Sequence, residues 1–294
     1  MMFDSQLFNL FILLNRKVSG LTHHFVNTNE GKVSYLEGGK GPTLVLLHGF
    51  GANKDTWCDL AAKLIRHYHL VIPDIPGFGE SYRPDSQLGI DAQTQRLKAF
   101  IDAKQLTNIS LMGSSYGGYL ACNLATKCTN AFSRLILISP LGVSKAKLSQ
   151  VFTDICNNSE PVLLPRSTDE MKLLLKSCFY KQPFIPQFVV RQLAIQAETH
   201  YSEHKALFFA THLFNKTGVM FEQPLEENLK RLSIPVFVLW GEHDEVLSVD
   251  ATRVIKQLDK SNVQIKVLNN LGHLPQNESP KVVAKQINEF LKNT

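Results

Sequence analysis

The sequence predicts an α/β fold, and three observations predict it. Short apolar runs without polar alternation recur at Thr43–Leu47, Leu70–Pro73, Ile109–Met112, Leu135–Ser139, Val236–Trp240 and Val263–Leu268. Such runs belong to strands covered on both faces, as in a mostly parallel sheet. Between them, Trp57–Ile65, Thr94–Ala103 and Val282–Leu291 place apolar residues three or four apart, the spacing of amphipathic helices. Strand and helix therefore alternate, which is the α/β arrangement. The alternation halts from Leu141 to Leu232 and resumes at Val236, so a single α/β domain carries an insertion.

The chain has 294 residues, 44% hydrophobic and 19% charged, the composition of an ordinary globular protein. A core of that size can be buried without metal or disulfide staples. The 31 basic and 26 acidic residues give a net charge of +5 with no long basic block. Nucleic acid is therefore not an expected partner, although a mild attraction to anionic membranes fits the sign. The five cysteines, Cys58, Cys122, Cys128, Cys156 and Cys178, are odd in number and form no C-x-x-C pair. Free thiols in a reducing, cytoplasmic setting are expected, with neither a zinc site nor a redox motif.

The amino terminus comes first along the chain. No apolar run is long enough to span a bilayer. Leu7–Leu14 is apolar but broken by Asn9, with Asp4 before it and Arg16 and Lys17 after it, the reverse of a secretory signal. Met1, Met2, Phe3, Leu7, Leu10, Phe11 and Leu14 recur at helical spacing, and Phe8, Ile12 and Leu13 widen the face. Residues 1–20 are thus expected to form an amphipathic segment. It either lies in a bilayer interface, with Arg16 and Lys17 meeting lipid phosphates, or packs on protein. His24–Asn27 and Val33–Leu36, joined by Thr28-Asn29-Glu30-Gly31, predict an antiparallel hairpin at one sheet edge. Residues 21–140 and 233–294 form the expected core, and 141–232 the insertion. The insertion shows no clear strand. It is rich in helix formers and in large rings, Phe179, Tyr180, Phe184, Phe188, Phe208, Phe209, Phe214 and Phe221, and is punctuated by Pro161, Pro165, Pro183 and Pro186.

The residues that carry chemistry lie at strand ends. Gly113-Ser114-Ser115-Tyr116-Gly117-Gly118 fits G-x-S-x-G with Ser115 at its centre, a strand before it and a helical pattern after it. That context marks a nucleophile elbow, a sharp turn that lifts a serine oxygen above a sheet. Ser114 is off-centre and reads as a supporting residue. A serine needs a base to take its proton. Of ten histidines, His273 is the one just past the last predicted strand. His23, His24, His67, His69, His200, His204 and His212 read as edge, helix-end or surface residues. Glu242, Asp244 and Glu245 compete as the acid after Val236–Trp240. An oxyanion needs two backbone N–H donors, one from the residue after the nucleophile and one from the loop after Thr43–Leu47. These are Tyr116 and Phe50, the latter in His48-Gly49-Phe50-Gly51, where His48 is expected to brace the loop.

Together these elements resemble the α/β-hydrolase superfamily, through HGFGANKDTW, PDIPGFGES, MGSSYGGYLA, VLWGEHDEV and LGHLPQNESP in the family's order. LISPLGV and PRSTDEMKLLLKSCF look most similar to the monoacylglycerol lipase and esterase branch with a hydrophobic amino-terminal segment. The resemblance implies an eight-stranded, mostly parallel sheet with helices on both faces and residues 141–232 as a helical cap. It implies Asp244 as the acid of a Ser115–His273–Asp244 triad, with Glu242 as runner-up. It also implies a cofactor-free and metal-free serine hydrolase, acting through an acyl-enzyme on a small-molecule ester or lipid such as a monoacylglycerol. A carbon–carbon bond hydrolase, amidase or thioesterase on the same triad, or a slow-turnover binding member of the fold, are the alternatives.

Overall fold

Ten strands and helices lead to the insertion in the order the apolar pattern predicts. The computed structural model describes residues 2–128, 131–215 and 218–293. Met1 of the expected apolar face lies outside the described residues, as do the side chains of Met2 and Phe3. Helix α1 (Met2–Val18) precedes the hairpin β1 (Thr22–Asn27) and β2 (Lys32–Gly38). Then come β3 (Thr43–Leu47), a 3-10 turn at Lys54–Trp57, α2 (Cys58–Leu64), β4 (His69–Pro73), α3 (Ile90–Ala103), β5 (Ile109–Ser114), α4 (Tyr116–Lys127) and β6 (Phe132–Ile138). The insertion holds α5 (Gln150–Cys156), α6 (Thr168–Cys178), α7 (Gln187–Thr199), α8 (Tyr201–Thr211), β7 (Leu213–Asn215), β8 (Gly218–Met220) and α9 (Leu225–Arg231). The core closes with β9 (Val236–Gly241), α10 (Ala251–Lys256), β10 (Val263–Leu268), α11 (Pro275–Glu278) and α12 (Pro280–Asn293).

The sheet has eight strands in the order β1-β2-β4-β3-β5-β6-β9-β10. β2 runs antiparallel to β1 and β4, and the others pair in parallel. Side chains alternate across a strand, so each apolar run feeds two cores. Val45, Leu47, Leu111, Leu135, Leu137, Val236, Val238 and Trp240 enter one layer. Leu44, Leu46, Met112, Ile136, Ile138, Phe237 and Leu239 enter the other. That second layer is closed by α2 and α12, with Val283, Ala284, Ile287 and Phe290 buried at the spacing of one helical face. The register sets Leu47, Gly113, Leu137, Val238 and Ile265 in one row across the sheet. The loops after β3, β5, β9 and β10 therefore emerge along one edge, where open α/β sheets bind ligands.

Three expectations change. The insertion is not free of strand: β7 and β8 form a small antiparallel pair, three residues each and too short to show a period. Its entrance and exit meet, with Leu225 N–H donating to the Gly142 carbonyl at 2.8 Å. His204 and His212 are not surface residues. They are 9% and 2% exposed, stacked on Phe78 and Phe208 respectively, and burial lowers the pKa of each to about 4. Arg16 does not face outward to meet phosphates. It is 7% exposed and grips both oxygens of Asp55 at 2.6 and 2.7 Å. The rest of α1 packs partly on the insertion, through Phe11 edge-on to Phe188 at 6.0 Å and Asp4 to Arg191 at 2.8 Å. Leu10, Leu13, Leu14 and Val18 remain exposed, and Lys17 with them. Among the described residues no helix is long and apolar enough to cross a membrane.

Candidate active site

The tight turn at Ser115 is dictated by its neighbours. Ser115 has φ 54° and ψ −118°, a left-handed conformation that L-residues rarely adopt, at a cost of roughly 1–3 kcal/mol. The turn folds strand back onto helix so closely that a Cβ at Gly113 would overlap the Gly117 carbonyl. A Cβ at Gly117 would overlap the Leu47 and His48 carbonyl oxygens. Glycine at both positions is thus a packing requirement. Hydrogen bonds from Ser115 N–H to Ile138 O at 2.9 Å, and to Ser115 O from Leu141 N–H at 3.0 Å, hold the strained residue. Ser115 is half-buried whereas Ser114 is fully buried. The Ser114 Oγ accepts from the Gln276 amide at 3.0 Å.

The loop after β3 lies directly against the serine, since a Cβ on Gly49 would sit 3.5 Å from the Ser115 Cβ. His48 braces that loop. Its buried ring pairs Nδ1 with the Gly49 carbonyl at 2.8 Å and accepts Ile75 N–H at Nε2, 3.0 Å away. An accepting Nε2 requires the neutral ring protonated at Nδ1, and burial lowers its pKa accordingly. Beyond the loop, Lys54 and Asp74 form a sealed ion pair at 2.7 Å, with side chains 1% and 0% exposed. Asp74 also accepts the Lys54 and Glu80 N–H groups at 2.7 and 2.8 Å. Tyr116 opens α4, where first-turn N–H groups have no acceptor within the helix. The helix start therefore favours negative charge beside Ser115.

Past β9, Asp244 alone of the three competing carboxylates is buried. Its Oδ1 accepts Val246 and Leu247 N–H at 2.9 and 2.8 Å, and its Oδ2 lies 2.8 Å from His273 Nδ1. Glu242 instead accepts Asn270 N–H at 3.2 Å on the surface, and Glu245 is exposed. His273 is 3% exposed and follows β10, so the serine, imidazole and carboxylate loops share the sheet's one edge. The Phe50 ring packs against Phe78, Tyr116 and Phe208 at 5.2, 5.9 and 5.5 Å. Phe208 belongs to a small apolar cluster with Ile155 and Leu164, against which Leu163 and Phe214 also pack. Several other rings in the insertion lie elsewhere: Phe221 against Tyr119, Phe188 against α1, and Phe184 91% exposed.

Comparison with known proteins follows this geometry. A family model described as the alpha/beta hydrolase fold matches residues 42–280. The chain belongs to the α/β-hydrolase family. It falls in the lipase and esterase branch, and is a serine hydrolase. This hydrolase is 27% identical to monoacylglycerol lipase ABHD6 of Homo sapiens, over 99% of this chain and 88% of that one. It is 31% identical to Lipase 3 of Moraxella sp. (strain TA144), over 85% and 77%. The solved structure of a membrane phospholipase A, a bacterial virulence factor, superposes with a TM-score of 0.92 at 31% identity, covering 100% and 93%.

Gln276, Asp74 and Glu278 of this hydrolase support these loops without standing out in the sequence. Asp74 sits inside PDIPGFGES and the other two inside LGHLPQNESP, so the signal was present in the motifs without a partner to interpret it.

Proposed function

We propose that the chain hydrolyses carboxylic esters with an apolar acyl chain, such as monoacylglycerols, through Ser115, His273 and Asp244. The observation that carries this is the strained, half-exposed Ser115 at the head of α4, beside the neutral N–H groups of a helix start. Ser115 Oγ attacks the ester carbonyl as His273 takes its proton through Nε2, because Nδ1 is committed to Asp244. The Asp244 carboxylate fixes that tautomer and stabilises the imidazolium. The Phe50 and Tyr116 N–H groups receive the oxyanion. The imidazolium then protonates the leaving alcohol, leaving an acyl-enzyme. Water gives a proton to His273 as it attacks the acyl carbon, and His273 returns that proton to the departing Ser115 Oγ, which releases the acid and restores the free serine. The half-buried Phe50 and Leu163 side chains, backed by the buried Phe208 ring, supply an apolar wall for the acyl chain, as apolar pockets follow from apolar linings. The insertion 141–232 acts as the cap over this site.

Acting on lipid, the enzyme meets its substrate at a membrane surface, with the exposed Leu10, Leu13 and Leu14 of α1 as the contact and Lys17 beside them. The relatives named for lipase activity support a lipid ester as substrate. A panel of p-nitrophenyl esters and monoacylglycerols of rising acyl length tests the assignment, together with mass mapping of a fluorophosphonate adduct. Hydrolysis that does not rise with acyl length, or an adduct on any residue but Ser115, would sink it.

A further inference from the structure

One segment of the insertion crosses both loops that carry the His273–Asp244 pair. After α6 the chain runs out as Cys178-Phe179-Tyr180-Lys181, and its backbone lies on the base loop. The Leu274 N–H donates to the Cys178 carbonyl at 3.2 Å. A Cβ on Gly272 would stand 2.6 Å from the Tyr180 nitrogen and 2.9 Å from the Cys178 oxygen, so only glycine admits the approach next to His273. The same segment reaches the acid loop. The Tyr180 ring stacks flat on the His243 ring, centroids 4.0 Å apart and planes at 13°, and His243 immediately precedes Asp244. His243 N–H in turn donates to the Leu271 carbonyl at 2.9 Å, joining the two loops beneath the segment.

A single carboxylate closes this arrangement. Glu278, at the end of α11, accepts three backbone N–H groups. Its Oε2 takes Gly272 at 2.9 Å and Tyr180 at 3.2 Å, and its Oε1 takes Lys181 at 2.7 Å. One of those donors adjoins His273, and the other two belong to the crossing segment. Hydrogen bonds to an ionised acceptor are roughly twice as strong as neutral ones.

We infer that Glu278 is a positioning residue, the clasp of a strap (Cys178–Lys181) by which the cap holds His273 and Asp244 in register. This rests on the proposal that those two residues act as base and acid. Seating of the strap sets the angle of the His273 loop against the Asp244 loop, so the cap governs how well the pair serves Ser115. Misplacement of a catalytic group by about 1 Å can cost a hundredfold in rate, and the strap bears on both groups at once.

The test uses the full chain and a short soluble p-nitrophenyl ester, whose small acyl group leans little on the cap lining. Glu278→Gln keeps the shape, but its amide N–H₂ must face a backbone N–H, donor against donor. Tyr180→Ala removes the stack on His243 and leaves the backbone intact. With folding checked by circular dichroism, each variant is expected to lower kcat by about ten- to a hundredfold. KM should stay nearly constant, and the acid limb of the kcat/KM profile should move. The double variant should be no worse than the weaker single, because both open one strap. A folded Glu278→Gln enzyme with wild-type kcat and an unmoved acid limb, whatever its melting temperature, overturns the proposal. If that variant does not fold, Tyr180→Ala decides in the same way. Turnover that survives Ser115→Ala or Asp244→Asn would instead remove the triad on which the inference rests, independently of Glu278.

Discussion

The side-chain amide of Gln276 donates to the Ser114 Oγ at 3.0 Å, in a spot where both side chains are buried. The two adjacent serines of the elbow thus differ in kind. One hydroxyl ties α11 to the end of β5, and the other stands at the strained turn.

Ser115→Ala should therefore lose about four orders of magnitude or more in kcat with an unchanged melting temperature. Ser114→Ala should keep most of its turnover and lose some stability, because Gln276 is left without its buried partner. Steady-state kinetics and thermal melts of the two variants check this. Loss of turnover in Ser114→Ala alone would exchange their roles.

Asp244→Asn should lower kcat by about four orders of magnitude, with substrate binding near normal. An Asn amide facing Nδ1 would favour the wrong imidazole tautomer. Glu242→Gln, altering a surface acceptor for Asn270 and an exposed contact with His243 at 3.6 Å, should change the rate less than about twofold (about 0.5 kcal/mol or less). The ratio of the two effects on kcat decides between the carboxylates.

Lys54→Met should destabilise the fold by about 3–5 kcal/mol, since it strands the Asp74 carboxylate in a site sealed from water. Urea unfolding should show a lower midpoint with the same slope. An unchanged midpoint would mean that water or a rearranged Glu80 replaces the lysine.

Acid should weaken the fold through His204 and His212. Burial holds the folded pKa of each near 4, against about 6.5 in an unfolded chain. Between those values the unfolded state binds more protons, so stability rises with pH there. The contribution is complete above about pH 6.5, is lost as pH falls towards 4, and changes no further below it. Urea midpoints measured from pH 7 to pH 4 should fall, and His212→Asn should fall less steeply. Parallel curves would exclude His212 as a source.

Replacing Leu10, Leu13 and Leu14 of α1 with serine should weaken binding to phosphatidylcholine–phosphatidylglycerol vesicles and leave short-ester hydrolysis unchanged. Those side chains are exposed, whereas deleting the helix would also break Arg16 from Asp55. Identical vesicle binding would show that the exposed leucines serve another contact.

What could be read in the sequence follows from how local each cause is. The inner strands were legible because burial on both faces forces four or five apolar residues in a row, as in Leu44–Leu47. Ser115 was legible because its turn demands Gly113 and Gly117 within two residues on each side. The acid was legible only as a choice among three carboxylates, until the fold buried one of them. The burial of His204 and His212 depends on Phe78 and Phe208, and only the former lies far away in sequence; even the latter reads as helix surface until the insertion docks. Arg16 reads as outward in the sequence because its partner Asp55 is 39 residues away. Glu278 is illegible in the sequence for the same reason, since two of its three donors are 97 and 98 residues off.

The meeting of Gly142 and Leu225 makes the segment between them a removable part. Both its connections leave the core at one point, so the sheet's register does not depend on how much chain lies between them. Exchange of everything between these two residues for the corresponding piece of another family member should give chimeras that still fold.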